Sequence, residues 1–503
     1  MSLQVSASTL KPAQVTADVL IIPLYDDAAI SKSIPEVLRR RIGTNIRRLE
    51  FTCAWGTAML FPVFKGSKAP FVAIIGLGKR DVATTQHAEA LRRGLGSVVQ
   101  EARKHGLKSL SLAIPDPASA VEFTRGAVEG TVLANYRFAE YAQHIKQEHA
   151  ARAVKHLMIL TTRDVLQAVR DEIKAALQVT AGVLLARDLV NQPASSLSPA
   201  TLVAQAQAIA NSGRNISVRV FDRKEAEKEG FTAFLAVARG SLEEPYVIHL
   251  TYRPPTAKRK IFIVGKGITF DSGGLSLKPA EMMEGMKSDM AGAATVLGLF
   301  SVIEKFKPDV EVHGIIAACE NMPSGTAYRP GDILHAKNGK TIEVLNTDAE
   351  GRITLADALS YAVEQGADVI IDLATLTGAC MVALGETYAG LWSNDEALQH
   401  ELEASAGVTG ENLCALPLPP EYKPFIQSKV ADLCNIATNR YGGAITAALF
   451  LQEFVNDTPW AHLDIAGPSF MERPCLSYYP AGATGYGVRL LMEYLQQQSA
   501  EQV

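Results

Sequence analysis

Residues 346–353 read Asn-Thr-Asp-Ala-Glu-Gly-Arg-Ile, which sets two carboxylates, Asp348 and Glu350, beside the guanidinium of Arg352. The residues before them, 341–345, have the composition of a strand, and 353–365 have helical spacing. A charged loop that leaves a strand and enters a helix is where open α/β sheets present their ligands. Carboxylates two residues apart in an extended loop can converge on one hard cation. The same pattern also describes a solvated acidic turn. Taken alone, the segment leaves both readings open.

Working outward, short apolar runs alternate with helical patterns. In the first third, 17–25, 70–78, 109–115 and 156–162 read as strands and 121–141 as a helix. A long helical pattern over 163–190 stops at Asn191-Gln192-Pro193, a sequence that ends helices. Beyond it, strands are expected at 260–265, 310–318, 368–374 and 461–466, with helices at 291–306, 444–455 and 488–498. The fold class is therefore α/β in two domains. A smaller N-terminal α/β domain spans 1–162, a connecting helix spans 163–192, and a larger C-terminal domain spans 193–503. The larger domain should hold a mixed, mostly parallel sheet sandwiched by helices. Gly76-Leu77-Gly78-Lys79 follows a strand but completes no phosphate-binding loop.

The 503 residues are 48% hydrophobic and 20% charged, as in ordinary globular proteins, and supply ample material for full cores. The net charge of −4 gives no electrostatic case for broad nucleic-acid or membrane binding. No secretory signal and no membrane-spanning run are expected. The six cysteines are scattered without a Cys-x-x-Cys pair, which suggests buried, reduced thiols in a cytoplasmic protein.

A second charged cluster lies at 265–289, GKGITFDSGGLSLKPAEMMEGMKSD. Lys266 closes an apolar strand, and Asp271 follows in a loop where Gly273 and Gly274 permit close backbone approach. Lys278 comes next, and Asp289 opens an apolar helix, where a carboxylate could serve as a cap. Four carboxylates packed in one domain without cations would repel one another, so metal neutralisation is the natural reading. None of the ten histidines falls in either cluster, and no His-Glu-x-x-His motif is present. His313 and His462 read as satisfied core residues. An oxygen-rich donor set favours Mg, Mn or a carboxylate-bound Zn pair.

Together, VGKGITFDSGG, LSLKPAEMMEGMKSDMAGAA, ENMPSGTAYRPGD, EVLNTDAEGRI and DLATLTGA resemble the leucyl aminopeptidase (cytosol aminopeptidase) family, from about residue 186 to the C-terminus. The resemblance implies a metal-dependent aminopeptidase, a hydrolase that releases N-terminal residues, leucine and other apolar ones preferred, from peptides with a free N-terminus. It implies two divalent ions per subunit, Mn2+ or Zn2+, held by Lys266, Asp271, Asp289, Asp348 and Glu350, with Asp271 and Glu350 bridging. As a ligand, Lys266 would have to be a neutral amine; composition alone makes it a cation paired with Asp271.

Lys278 would stabilise the oxyanion, and Arg352 would hold a bicarbonate that shuttles a proton; its simpler role is a salt bridge to Glu350 or a neighbouring carboxylate. Met286, Thr375, Gly378, Ala466 and Ser469 resemble the lining of the pocket for the first side chain. Ser469 stands where some relatives carry a larger apolar residue. The resemblance further implies a homohexamer. Some bacterial members of the family also bind DNA, a reading that the chain's slight acidity does not favour. A catalytically silent scaffold would not need all five ligand positions together with Lys278 and Arg352.

Overall fold

The computed structural model describes residues 3–27, 30–31, 34–63, 67–255 and 257–500, without the side chain of residue 500. The chain forms two compact units. The first comprises Met1–Thr180 with Val408–Gly410 and Arg473–Ala481; the second comprises Ala181–Gly407, Glu411–Glu472 and Gly482–Val503. The division between Thr180 and Ala181 falls within the helix Leu166–Asn191.

In the first unit, β1 (Gln4–Ser8), β2 (Val19–Tyr25), β3 (Ala58–Pro62), β4 (Phe71–Gly78), β5 (Ser109–Ala113) and β6 (His156–Leu160) form one sheet in the order β1-β6-β5-β2-β4-β3. Its pairings are parallel except that of β3 with β4. Every residue of β2 is buried, as an apolar run covered on both faces requires. The helix expected over 121–141 runs instead from Ala120 to Asn135. The Asn135 amide explains the stop. It donates to the Val154 carbonyl at 2.9 Å and accepts from the Val154 N–H at 3.0 Å, so its side chain replaces a backbone partner.

The second unit contains β7 (Ile216–Phe221), β8 (Tyr246–Tyr252), β9 (Lys260–Asp271), β10 (Glu311–Asn321), β11 (Ile333–His335), β12 (Thr341–Glu343), β13 (Val369–Ala374), β14 (Tyr388–Ser393), β15 (Asn412–Ala415), β16 (Leu433–Cys434), β17 (Trp460–Asp464), β18 (Phe470–Met471) and β19 (Gly482–Ala483). The main sheet has the order β15-β14-β17-β13-β9-β10-β8-β7. Its centre, β17-β13-β9-β10, is parallel, and antiparallel pairs lie to either side, at β14–β17, β8–β10 and β7–β8. β9 is twice as long as the apolar run that announced it, because Lys266 and Asp271 lie inside the strand. β12 belongs to a separate three-stranded sheet, β11-β12-β16, so the acidic loop after it approaches the main sheet from outside.

The helices Ala291–Phe306 and Glu350–Glu364 pack on β9, and the core of this unit includes Phe262, Val264, Ile353, Leu355 and Trp460, all at most 1% exposed. Each such side chain contributes roughly 1.5–3 kcal/mol on burial. The stretch Ala280–Phe306 passes a test of length and composition for a membrane span, but 78% of its most apolar window is buried within the protein, as in a core helix. All six cysteines are free. Burial pushes the Cys319 thiol well above its usual range and the Cys380 thiol up to about 12, which makes both poor nucleophiles.

A buried polar chain joins the helix Glu350–Glu364 to the sheet. Tyr361 Oη lies 3.0 Å from His249 Nδ1, His249 Nε2 lies 2.8 Å from His313 Nδ1, and His313 Nε2 lies 2.9 Å from Glu311 Oε1. With both imidazoles neutral, each link has one donor and one acceptor, as expected of satisfied core histidines. Burial, followed by the His313 charge, pushes His249 down to about 3, and burial pushes His313 down to about 4. Both lie below the unfolded value of about 6.5, so the unfolded chain takes up more protons as the pH falls through 6.5. Stability is therefore full above that value and is lost toward pH 4, by up to about 1.4 kcal/mol per pH unit for each histidine. Urea midpoints measured from pH 7.5 to 5 should fall accordingly, and His249→Gln should flatten the slope. An unchanged slope would refute this account.

Candidate metal centre

The site forms where β9 and β10 end together. Asp271 and Asn321, the last residues of these strands, are register partners beyond a bulge at Cys319/Glu320. Asn321, fully buried, donates to Asp271 Oδ1 at 2.8 Å and to the Thr347 carbonyl at 2.9 Å, and lies 3.5 Å from Glu350 Oε2. It thereby ties the β9 end to the acidic loop. Gly273 (φ +85°) and Gly274 (φ +64°) turn the chain away from β9, and a Cβ on Gly273 would lie 2.9 Å from Asp348 Oδ1. The close approach read from the sequence is present here.

Glu350 and Arg352 do not lie in a loop. They occupy the first turn of the helix Glu350–Glu364, three residues earlier than the helical spacing indicated. A carboxylate is favoured there by the helix dipole. Glu350 is 1% exposed and Asp271 2%. Oxygens of Asp271, Asp348 and Glu350 lie within 4.8 Å of one another. Asp289 does not cap the helix that follows. Its Oδ1 accepts from Lys266 Nζ at 2.7 Å and from Thr375 Oγ1 at 2.7 Å, and Met290 holds the cap position.

Two ammonium groups run through this cluster. Lys266 Nζ lies 2.7 Å from Asp289 Oδ1, 2.9 Å from Glu350 Oε1 and 3.0 Å from the Thr375 carbonyl. Lys278 Nζ lies 2.9 Å from Asp271 Oδ2 and 2.5 Å from Asp348 Oδ1. The pairing of Lys266 with Asp271 read from composition is thus made by Lys278 instead. Burial opposes the Lys266 charge, but Asp289, Glu350 and Asp271 hold its ammonium above the usual range. Burial, with the neighbouring Glu350 charge, pushes Asp271 up, and burial lifts Asp289 well up. Glu350 is drawn down by Lys266 in spite of its burial. The helix and β9 meet at Gly351, where a Cβ would lie 2.5 Å from Lys266 Cε.

Arg352 is 8% exposed and donates through Nη1 to the Asn435 carbonyl at 2.8 Å. No carboxylate stands within ion-pair distance among the described residues, so the salt bridge to Glu350 is not formed. Burial lowers its guanidinium to about 10, and its Nε has no hydrogen-bond partner. Of the residues named for the side-chain pocket, Thr375 touches the cluster directly. Gly378 is exposed with open space above it, Met286 and Ala466 are half-buried, and Ser469 is 3% exposed with an unpartnered hydroxyl. Asn321 and Asn435 escaped the sequence reading. Asn321 stands within ENMPSG, but nothing in that string says that its amide turns toward two carboxylates.

A divalent cation fits this cluster on two observations. The buried Asp289 Oδ2 has no hydrogen-bond partner, and the acidic donors are the oxygens that hard ions prefer. The four carboxylates, when ionised, carry −4 and the two ammonium groups +2, so the cluster keeps negative charge that divalent cations can balance. A buried carboxylate at the end of a central parallel strand, with three more carboxylates and two fixed cations around it, is an arrangement suited to metal-dependent hydrolysis on an α/β scaffold.

Comparison with known proteins sharpens that class. The description "Cytosol aminopeptidase family, catalytic domain" matches residues 184–492, and the family's N-terminal domain matches residues 21–144. A probable cytosol aminopeptidase of Persephonella marina is 42% identical and spans 99% of this chain and 100% of its own length. One from Thermosynechococcus vestitus is 45% identical over 89% of this chain and 88% of its own. Among solved structures, a mutant of tomato leucine aminopeptidase superposes with a TM-score of 0.86 at 35% identity, covering 99% of this chain and 97% of the other. The bottromycin maturation enzyme BotP in complex with Mn gives a TM-score of 0.83 at 34% identity, covering 96% and 100%. The chain belongs to the cytosol aminopeptidase family, and it is a metal-dependent aminopeptidase that acts on peptides.

Proposed function

We propose that the enzyme uses two divalent ions, Mn2+ or Zn2+, to remove leucine and other apolar residues from the free N-termini of peptides. Lys266, Asp289, Asp271 and Glu350 would hold one ion, and Asp348, Asp271 and Glu350 the other. When bound, such ions activate water and polarise the scissile carbonyl. The observation that carries this reading is the convergence of the carboxylates of Asp271, Asp348 and Glu350, with Asp289 joined to them through Lys266 and its Oδ2 unpartnered. The Mn found with BotP supports manganese.

The chain's own groups supply the rest. Lys278, fixed between Asp271 and Asp348, offers a rigid positive donor where oxyanion charge develops. Arg352 stays cationic, and its unpartnered Nε supports the holding of a small anion such as bicarbonate, which would carry the proton to the leaving amine. Met286, Thr375, Gly378, Ala466 and Ser469 would receive the first side chain, and the buried Ser469 hydroxyl makes that pocket less apolar than a hydrocarbon wall. The family resemblance supports a homohexamer, which a sedimentation mass of one subunit would contradict. The relatives' name supports a cytoplasmic location.

The deciding experiment is hydrolysis of leucine p-nitroanilide before and after exhaustive chelation. Activity should be lost and should return with Mn2+ or Zn2+. Turnover that survives complete metal removal would refute the mechanism.

A further inference from the structure

A recess of about 520 Å³ lies within the first unit, far in sequence from every residue of the metal centre. Its volume is that of a small-molecule pocket. Three elements bring basic side chains to it. Arg103 stands in the last turn of the helix Thr84–Lys104, Arg137 follows the helix Ala120–Asn135, and His149 and Arg152 lie on the helix Gln143–Arg152.

Arg103 is only 9% exposed, and a single hydrogen bond, from Nη1 to the Asn135 carbonyl at 3.1 Å, uses one of its five donors. Arg137 reaches only the adjacent Tyr136 carbonyl, at 3.2 Å. Among the described residues, neither arginine has a carboxylate within ion-pair distance; Glu148 also lines the recess but forms no such pair. The His149 Nδ1 is buried without a partner.

Two guanidiniums drawn partly out of water beside each other, with Glu148 near but paired to neither, are only partly compensated in the protein alone. Burial, with the charge of Arg137, lowers Arg103 to about 10, and burial lowers Arg137, in each case against the opposing pull of Glu148. Burial and both arginines also lower His149. An anion with several oxygens would relieve each of these strains at once. Guanidinium forks match phosphate oxygens in shape. The lining also includes the apolar side chains of Ile145, Pro474 and Pro480. A duplex would need charge spread along a surface track, whereas Arg103 sits buried in a recess.

We propose that this recess binds a small organic phosphate, its phosphate group held by Arg103 and Arg137 and its apolar part lying against Ile145, Pro474 and Pro480. The test is calorimetric titration of the full-length, metal-loaded enzyme with phenyl phosphate and with inorganic phosphate. Saturable binding is expected, tighter for phenyl phosphate, and weakened at least tenfold in Arg103→Met and in Arg137→Met. Phosphate bound at the catalytic metals would be unaffected by either substitution, so a phenyl phosphate affinity unchanged in both variants overturns the proposal. So does the absence of saturable binding, or binding of a duplex oligonucleotide without binding of phenyl phosphate. Because Arg103 also caps a helix, Arg137→Met decides the matter if Arg103→Met does not fold. With the anion absent, Arg137→Met should unfold no earlier than the parent, since it removes a partly desolvated charge that has no ion-pair partner.

Discussion

Glu350→Gln is expected to lower kcat/KM on leucine p-nitroanilide by at least about 10³-fold, equivalent to roughly 4 kcal/mol of transition-state stabilisation. The substitution keeps the side chain's shape in its fully buried position on the first helical turn but removes the charge that faces Lys266. If Glu350 bridges two ions, both lose a ligand, and metal content per subunit should fall with activity. Circular dichroism should remain that of the parent, because the helix is fastened elsewhere, by Asp357 accepting from the backbone N–H groups of Phe234 and Lys337 and by Tyr361 bonded to His249. Turnover within tenfold of the parent would remove Glu350 from the ligand set.

Lys278→Met tests a different part of the machinery. Its ammonium touches Asp271 and Asp348, two of the carboxylates proposed to hold metal, but would not itself bind metal. Removing a fixed donor of this kind lowers kcat by about 10²–10³ in comparable sites. Metal content should be retained or should rise, because Asp271 and Asp348 lose a competing cation. KM should change little. A variant that loses metal instead would show that Lys278 organises the carboxylates rather than stabilising charge during the reaction. An unaffected kcat would eliminate any role in turnover.

Much of this fold was legible because buried parallel strands leave plain signatures. Runs such as KIFIVG and DVIIDLA are apolar on both faces and lie between helical patterns. β1, β3 and β7 were not legible. They are short or alternate with polar residues, and their pairing depends on neighbours distant in sequence. The same division runs through the site. The charged residues were visible as two clusters, but only tertiary packing shows that Asp289 turns back toward Lys266 and not toward its own helix. The length of β9 was hidden because strand character is read from apolar residues, and the site replaces them with Lys266 and Asp271. Asn321 and Asn435 were missed for a further reason. An amide that orients a carboxylate or a guanidinium has no sequence pattern of its own; its role exists only once the strand ends have met.

Gly351 bears on how substitutions in this region should be interpreted. It contributes no charge, no ligand atom and no hydrogen bond from a side chain, yet the helix that presents Glu350 lies against the Lys266 stem at a distance only a hydrogen atom allows. A methyl group there must either move the helix outward or displace the amine, and each response separates Lys266 from Glu350. The lack of a side chain at residue 351 thus serves the pairing of Lys266 with Glu350, to which it adds no atom. A loss of activity on changing it would measure the fit of the helix against the Lys266 side chain, not the removal of a chemical group.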